Sequence, residues 1–347
     1  MKKISIVALA SLGVASAEDV KVWLTGHMDL VAGYTATAAE HGHGHDPKQD
    51  RFIQGSDYGI NFEAYGWLSG FANVNVFSGD HELQAEWEEG FLKADLSSGF
   101  TLKAGRYLNN IGTQNVKHLH GWDYIDSNAA EVRYLGEEGL ASEGAELTWT
   151  TEYERGFFSI TSSYGQVVEH SHEEEGDDDH EEEGWNDTVS ATRALLSYNH
   201  SDFITSALGV NYVTSADGDD RNLNSYDYTA TWRENGLEDG GKELALVADY
   251  QTLDTDEADF NGYRFAAKYG FGNGFSVGAR YEFGEFHEEE QVVDAAKYSV
   301  MAAYQYTIDE DWSGRAKVQF NTDSHEGDLN NAVWFQLGFS YGDAEVR

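Results

Sequence analysis

Two segments of the chain place histidine beside glycine or carboxylates, a combination whose chemistry is metal binding. In the segment 41–45 single glycines separate the histidines, and in 170–183 the histidines flank an acidic tract. Imidazole and carboxylate groups are ligands for Zn²⁺ or a similar divalent ion. Because the glycines fix no geometry, we expect weak capture at several positions. The acidic tract is equally well interpreted as a solvated loop. The candidate ligands are His41, His43, His45, His170, His172 and His180.

A third histidine pair lies between these two segments. His118 and His120 occur in a stretch that also holds Asp123, Asp126 and Glu131, and the two histidines are further candidate metal ligands. Catalysis has less support. The chain lacks the His-Glu-x-x-His motif, and nothing in the sequence brings a nucleophile and a base together.

The elements that position these residues are predicted by alternation. Phe275, Val277 and Tyr281 share one parity, whereas Arg280 and Glu282 share the other. Such alternation is typical of a strand between two environments, and strands of about 9–11 residues match a tilted bilayer crossing. In 83–96 the parity changes near Glu89, which predicts a β-bulge. The sixteen predicted strands are 20–35, 54–67, 71–79, 83–96, 100–111, 143–153, 157–168, 188–199, 203–214, 226–234, 242–253, 261–271, 275–286, 297–308, 313–323 and 331–341.

The predicted connections alternate in length. Short turns, such as Ser69-Gly70, alternate with longer and mostly acidic loops, including 36–53, 112–142 and 169–187. This layout is typical of a transmembrane barrel with its long loops outside. The predicted fold class is therefore all-β, a transmembrane antiparallel β-barrel of about sixteen strands. A soluble secreted β protein is the alternative, but the size and the aromatic residues near turns favour the membrane barrel.

The cations of the predicted strands lie opposite the apolar faces. They should point into the lumen, because a charge facing lipid at mid-depth costs about 2–4 kcal/mol. The long loop 112–142 brings acidic residues. A basic wall facing an acidic loop would form a constriction with a transverse field; the other interpretation is that the cations only solvate a wide lumen. The predicted pore-lining residues are Lys103, Arg233, Arg264, Lys268, Arg280, Arg315, Lys317, Asp123, Asp126 and Glu131.

The N-terminus and the composition indicate the compartment and the partners. Lys2 and Lys3, a short apolar stretch and the small residues 15–17 predict a signal peptide at 1–17, with the barrel in 18–347. The expected location is the cell outer membrane, with its lipid as a partner. The 62 acidic residues against 22 basic ones, a net charge of −40, argue against nucleic acid as a partner.

About sixty residues resemble a family of bacterial outer-membrane porin-like proteins, some of them zinc-regulated. The resemblance is carried by 103–108, 111–112, 115, 118–123 and 143–147. The layout also resembles the general sixteen-stranded porins, whose third outer loop folds into the lumen; the loop 112–142 holds that place. The chain departs from many outer-membrane barrels in continuing for six residues after Tyr341.

The resemblance and the pattern together predict a passive porin-like channel for small hydrophilic solutes or ions. No cofactor is expected to be required, although the outer loops could hold Zn²⁺ or another divalent cation weakly. A homotrimer is a further expectation, without a marker in the sequence. The alternatives are a metal-binding surface receptor or metal-ion importer, and, with less support, an outer-membrane enzyme.

Overall fold

Sixteen β-strands make up almost all of the ordered structure in a computed structural model of the chain. The model describes residues 20–35, 53–78, 83–128, 134–135, 139–168, 185, 188–216, 221–236, 241–255, 259–288, 291–325 and 328–342. The strands are β1 (Val20–Thr35), β2 (Ile53–Ala64), β3 (Leu68–Ser78), β4 (Leu83–Asp95), β5 (Phe100–Leu108), β6 (Ala141–Tyr153), β7 (Gly156–Val167), β8 (Thr188–Ser201), β9 (Ile204–Ser215), β10 (Asn222–Arg233), β11 (Glu243–Asp254), β12 (Asp259–Gly270), β13 (Phe275–Glu288), β14 (Gln291–Thr307), β15 (Trp312–His325) and β16 (Asp328–Tyr341).

The strands form one closed antiparallel barrel. Each strand pairs with its neighbours in sequence, and β1 pairs with β16, for example Met28 with Phe339, to close the sheet. Closure leaves no unpaired sheet edge, which is the condition for strands to cross a bilayer. The prediction of an all-β antiparallel barrel of about sixteen strands is confirmed. Among the described residues, no helix is both long enough and apolar enough to cross a membrane.

Two features of the predicted strand layout changed in the structure. The turn predicted at Ser69-Gly70 is wrong, since the β2–β3 turn lies at 65–67, where Tyr65 has φ 57° and Gly66 has φ 69°. Glycine adopts this left-handed conformation without a steric cost. β10 and β14 begin four to six residues before their predicted starts of 226 and 297. The added residues pair with neighbouring strands, for example Asn222 with Thr214 and Gln291 with Glu288. Backbone pairing therefore extends beyond the segment in which the lipid-facing alternation is visible.

The predicted bulge in β4 is confirmed. Asn73 pairs with Glu89, but the next residue, Val74, pairs with Trp87, so Glu88 is the extra residue. A bulge interrupts the alternation of side chains. As a result, Glu88 and Glu89 both point toward the barrel interior, where each contacts His118.

The outer and inner faces of the barrel differ in chemistry. Outward residues such as Leu24, Val300 and Phe335 are large, apolar and exposed, whereas inward residues such as Asn61 and Gln319 are polar and fully buried. An apolar belt around a polar interior is the pattern of a barrel in lipid. The core therefore lies inside the barrel, where a loop fills part of the lumen.

The strand ends bound that loop at residues 109–140, between β5 and β6. It begins slightly earlier and ends slightly earlier than the predicted 112–142. The predicted signal peptide at 1–17 and nearly all of the predicted loops 36–53 and 169–187 lie outside the described residues.

Candidate pore constriction

Both ends of the loop 109–140 are fastened to each other at its base. The Asn109 N–H donates to the Leu140 carbonyl at 2.9 Å. Asn115 closes the neck, because its Nδ2 donates to the Asn109 carbonyl at 2.7 Å and its Oδ1 accepts from the Leu140 N–H at 2.7 Å. Buried polar groups satisfied in this way hold a loop in one conformation. The described part of the loop therefore starts from a fixed base next to the barrel wall.

The central anchor of the loop is Asp126. Its Oδ1 lies 2.6 Å from Arg280 Nη2, and its Oδ2 lies 2.7 Å from Lys297 Nζ. Gln319 and Asn321 donate to the same carboxylate, each at 2.6 Å. Charge-assisted hydrogen bonds of this kind are the strong ones. Side chains from β13, β14 and β15 thus all bind the same loop carboxylate.

Other cations of the wall hold the loop through its backbone and side chains. Arg315 pairs with Asp29 of β1 at 2.5 Å and also donates to the carbonyl of His120. Lys317 Nζ donates to the Trp122 carbonyl at 2.6 Å. Loop carbonyls that face away from any helix or strand need such donors. These lysine and arginine side chains therefore position the loop.

Two further arginines act at the beginning of the loop. Arg264 contacts Thr113 and donates to Gln114 Oε1 at 3.1 Å, while it also pairs with Asp249. Arg193 donates to the carbonyl of Gly112. Its Nη2 lies 2.7 Å from Asp227 Oδ1. Each arginine therefore joins a wall carboxylate to the loop.

Lys268 and Asp123 form the ion pair of this set that meets solvent. Their Nζ and Oδ1 atoms are 2.5 Å apart, and the side chains are 37% and 41% exposed. The pairs around Asp126, in contrast, are buried. Ions crossing the lumen would therefore meet the Lys268–Asp123 pair rather than the buried pairs.

An apolar cluster packs the opposite side of the loop. Ile111 and Leu140 of the loop contact inward residues of the wall, and Trp185, from the next connection, donates its indole N–H to the Tyr134 carbonyl at 2.6 Å. Burial of these side chains stabilises the folded-in position of the loop. The buried wall residues of the cluster are Val189, Ala191, Val213, Leu223, Leu253 and Phe260.

The two described loop carboxylates, Asp123 and Asp126, are held in the ionised form. Burial alone would raise the pKa of Asp126, but Arg280 and Lys297 hold that pKa below its ordinary value. Burial also opposes ionisation of Asp123, and Lys268 likewise holds the pKa of that carboxyl below its ordinary value. Burial raises the pKa of the Tyr124 phenol, which stays protonated at neutral pH.

The predicted pore residues occupy different parts of the barrel. Arg264, Arg280, Arg315, Lys317 and Lys268 meet at the loop, as described above. Lys103 instead pairs with Glu146 of β6 at 2.8 Å, and Arg233 pairs with Glu243 beside the β10–β11 turn. The predicted wall and loop charges are in direct contact rather than separated by an open gap. Glu131 lies outside the described residues.

The predicted metal ligands divide into two groups. His118 and His120, expected at the outer mouth, lie inside the barrel, because the loop folds inward: His118 is buried and His120 contacts Asp57 of β2. The six histidines of the segments 41–45 and 170–183 lie outside the described residues. Asp29 is an inward acid that was not among the predicted site residues. It lies between the lipid-facing Met28 and Leu30, so the same alternation indicates its inward direction.

One short motif suggests a nucleophile but has no matching structure. The segment 274–278 reads Gly-x-Ser-x-Gly. A nucleophile elbow places that serine in a sharp strand-to-helix turn. Here Ser276 lies inside β13 and pairs with Ala303 of β14. Gly274 ends the turn before β13 and the other four residues lie in the strand, so the motif does not form an elbow.

Solved structures share the fold of this chain. OmpF of Salmonella typhi, solved with daunomycin, has a TM-score of 0.60 at 13% identity, covering 92% of this chain and 97% of that one. The anion-selective porin from Comamonas acidovorans has a TM-score of 0.59 at 13% identity, covering 93% and 99%. The outer-membrane channel DcaP of Acinetobacter baumannii has a TM-score of 0.58 at 11% identity, covering 95% and 99%.

No protein-family model matches the chain, and neither does any curated protein sequence. At these low identities the likeness to solved structures shows the fold alone, a closed antiparallel barrel of sixteen strands that resembles those of outer-membrane porins. The apolar belt of the barrel suits the same membrane.

Proposed function

We propose that this chain is a porin-like passive channel that lets small hydrophilic solutes or ions cross the bacterial outer membrane. The observation that carries the proposal is the loop 109–140, held inside a closed barrel by Arg280, Arg315 and Lys317. A loop that narrows a polar lumen selects solutes by size and charge. The half-exposed pair Lys268–Asp123 is the charged feature that permeating ions would meet.

The proposal includes a trimeric assembly. OmpT of Vibrio cholerae, whose trimer form has been solved, shares the barrel fold with a TM-score of 0.55 at 11% identity. Porin barrels that associate side by side bury part of the apolar belt, and this chain has exposed apolar side chains all around its belt. Molar mass measured by light scattering with the detergent contribution subtracted tests this part: a single-barrel mass would remove it.

We also propose that the histidines of the segments 41–45 and 170–183 capture Zn²⁺ or a similar cation weakly. The chemistry of the residues supports this, because imidazole with carboxylate suits such ions. No cofactor is needed for diffusion through the lumen. A variant lacking 169–184 should bind fewer Zn²⁺ ions per barrel; unchanged stoichiometry would exclude that segment from the role.

The test of the channel is conductance of the refolded protein in a planar bilayer, with and without micromolar Zn²⁺. Stable open steps are expected. Steps that change with Zn²⁺ would connect the histidines to the pore. A correctly folded, heat-modifiable barrel without conductance would contradict the channel and favour a metal-binding receptor, a metal-ion importer or an outer-membrane enzyme.

A further inference from the structure

His118 lies at the contact between the folded-in loop and three strands of the wall. Its side chain is fully buried, and it is surrounded by Asp57 of β2, Asn73 of β3 and the bulge residues Glu88 and Glu89 of β4. Three carboxylates, those of Asp57, Glu88 and Glu89, therefore lie within 3.9 Å of one imidazole. This cluster differs from the Asp126 anchor, where arginine and lysine balance the charge.

The two nitrogens of His118 face different partners. Nε2 lies 2.7 Å from Oε2 of Glu89. The other carboxylate oxygen of Glu89, Oε1, accepts a hydrogen bond from the Leu108 N–H at 2.8 Å. Nδ1 lies 2.8 Å from Glu88 Oε2 and 3.9 Å from Asp57 Oδ1. If Nε2–H donates to Glu89, the lone pair of Nδ1 faces the Asn73 amide, whose Nδ2 is 3.1 Å away, beside the two carboxylate oxygens. A bound cation would therefore take the place of the Asn73 hydrogen bond. A ligating histidine usually donates its other N–H to a carboxylate in this way.

The spacing of these atoms fits a small divalent ion. The Nδ1 atom and the two carboxylate oxygens lie within 4.8 Å of one another. Ligands at Zn–N and Zn–O bond lengths in a tetrahedron are about 3.4 Å apart. The two distances from Nδ1, 2.8 Å and 3.9 Å, bracket this value. Small shifts of the partly exposed Glu88 side chain, rather than of the backbone, would complete the geometry.

We propose that Asp57, Glu88 and His118 bind one Zn²⁺ or a chemically similar divalent cation inside the barrel, with Glu89 orienting the imidazole. The β4 bulge makes the site, because it brings the adjacent residues Glu88 and Glu89 to the same side of the sheet. A nitrogen ligand with oxygen ligands favours zinc and its neighbours over calcium or magnesium. This site is separate from the histidine segments 41–45 and 170–183.

The ion has a route to the site. Glu88 and His120 are 15% and 18% exposed, whereas His118 is fully buried, so access is from the Glu88 and His120 side. His120 Nδ1 lies 2.9 Å from Asp57 Oδ2, the oxygen that does not face His118. The bound ion would tie the loop residue His118 to β2 and β4. On the proposed channel function, occupancy would fix the constriction; binding itself does not depend on conduction.

The test is Co²⁺ titration of the refolded barrel in detergent, followed by displacement with Zn²⁺. The starting variant carries His→Gln at 41, 43, 45, 170, 172 and 180, so that the outer segments do not contribute. It should bind one Co²⁺ per barrel with the ligand-field absorption of a low-coordinate ion. Adding His118→Gln or Glu88→Gln should abolish that absorption, and Glu89→Gln should weaken binding about 10–100-fold.

His200→Gln is the matched control, because His200 is exposed beside a short turn and contacts Ser206. Heat-modifiable migration on gels shows which variants are folded. If His118→Gln does not fold, the result for Glu88→Gln tests the site instead. The Glu88 side chain is partly exposed, so its substitution should disturb folding less. Absence of Co²⁺ absorption in the starting variant, or absorption unchanged by Glu88→Gln, would overturn the site. A conductance failure alone would contradict the channel and leave this result unaffected.

Discussion

Arg280 and Asp126 are 154 residues apart in the chain, yet Arg280 Nη2 lies 2.6 Å from Asp126 Oδ1 inside the barrel. Both side chains are almost fully buried, at 1% and 4% exposure. Two buried charges remain stable together only with further hydrogen bonds. Here Lys297 and Gln319 supply them. This pair therefore holds the loop to the wall more firmly than a surface ion pair would.

The first prediction concerns Asp126→Asn. The substitution keeps the shape but removes the carboxylate that Arg280 and Lys297 share, and Arg280 then keeps only its pair with Glu282. Breaking a buried pair from one side costs about 3–5 kcal/mol. We expect the loop to leave its docked position, so single-channel conductance should increase and the free energy of unfolding should fall. Asp202→Asn, in the exposed β8–β9 turn, is the control. Unchanged conductance in Asp126→Asn would show that the anchor does not set the constriction.

The second prediction concerns pH. The pKa of Asp126 is held below its ordinary value of 3.8 in the folded protein. A depressed pKa gives stabilisation that is present above the unfolded-state pKa and is lost as pH falls through the folded-state pKa. Conductance should therefore stay constant between pH 7 and pH 5 and increase only in strongly acid solution. Asp126→Asn should remove this acid step; a step near neutral pH would assign the change to another group.

The strands could be predicted from sequence because lipid and lumen impose opposite demands on alternate residues. Arg280 lies between Ala279 and Tyr281, so its inward direction was readable. The same logic predicts that Lys103 points inward, and the structure pairs it there with Glu146 of the neighbouring strand. The pairing of Arg280 with Asp126 could not be predicted from the sequence. Asp126 lies in a loop without alternation, so no strand register indicates which wall residue it meets.

The position of His118 shows the same limit. A long segment after a strand predicts a loop at one end of the barrel, but its length and composition do not say whether it extends outward or folds inward; only the resemblance to general porins predicted the inward direction. The inward direction depends on Asn115 at the neck and on the buried anchors along the wall. Those contacts join residues far apart in the chain, so only the folded structure brings them together.

The third prediction concerns close packing of the wall behind the loop. Gly105, Gly144 and Gly165 face one another across β5, β6 and β7. A Cβ on Gly144 would lie 2.2 Å from the Tyr164 carbonyl oxygen, which is backbone and cannot rotate away. Overpacking of this kind costs about 1–3 kcal/mol. Gly144→Ala should therefore unfold at lower denaturant concentration.

Gly270→Ala is the control for this change. Gly270 is also in a strand, β12, but the nearest atom to its added Cβ is 4.0 Å away. Unfolding curves of the two refolded variants, followed by tryptophan fluorescence, measure the difference. Equal unfolding midpoints would mean that β6 moves away from β7 without a loss of folding free energy, which would contradict the prediction.

The fourth prediction concerns ion selectivity at Lys268. Its ammonium pairs with the half-exposed Asp123 at 2.5 Å, so Lys268→Gln removes the hydrogen-bonded cation of that carboxylate and leaves only the weaker influence of Lys117 and Lys317. A unit charge at about 4 Å in water contributes about 1 kcal/mol, or roughly a fivefold change in local cation concentration. The reversal potential in a KCl gradient should therefore shift toward cation selectivity. Arg233→Gln, paired with Glu243 at the short-turn end, is the matched control. An equal shift in both variants would place the selective charge at the barrel rim; a shift confined to Lys268→Gln places it at the loop.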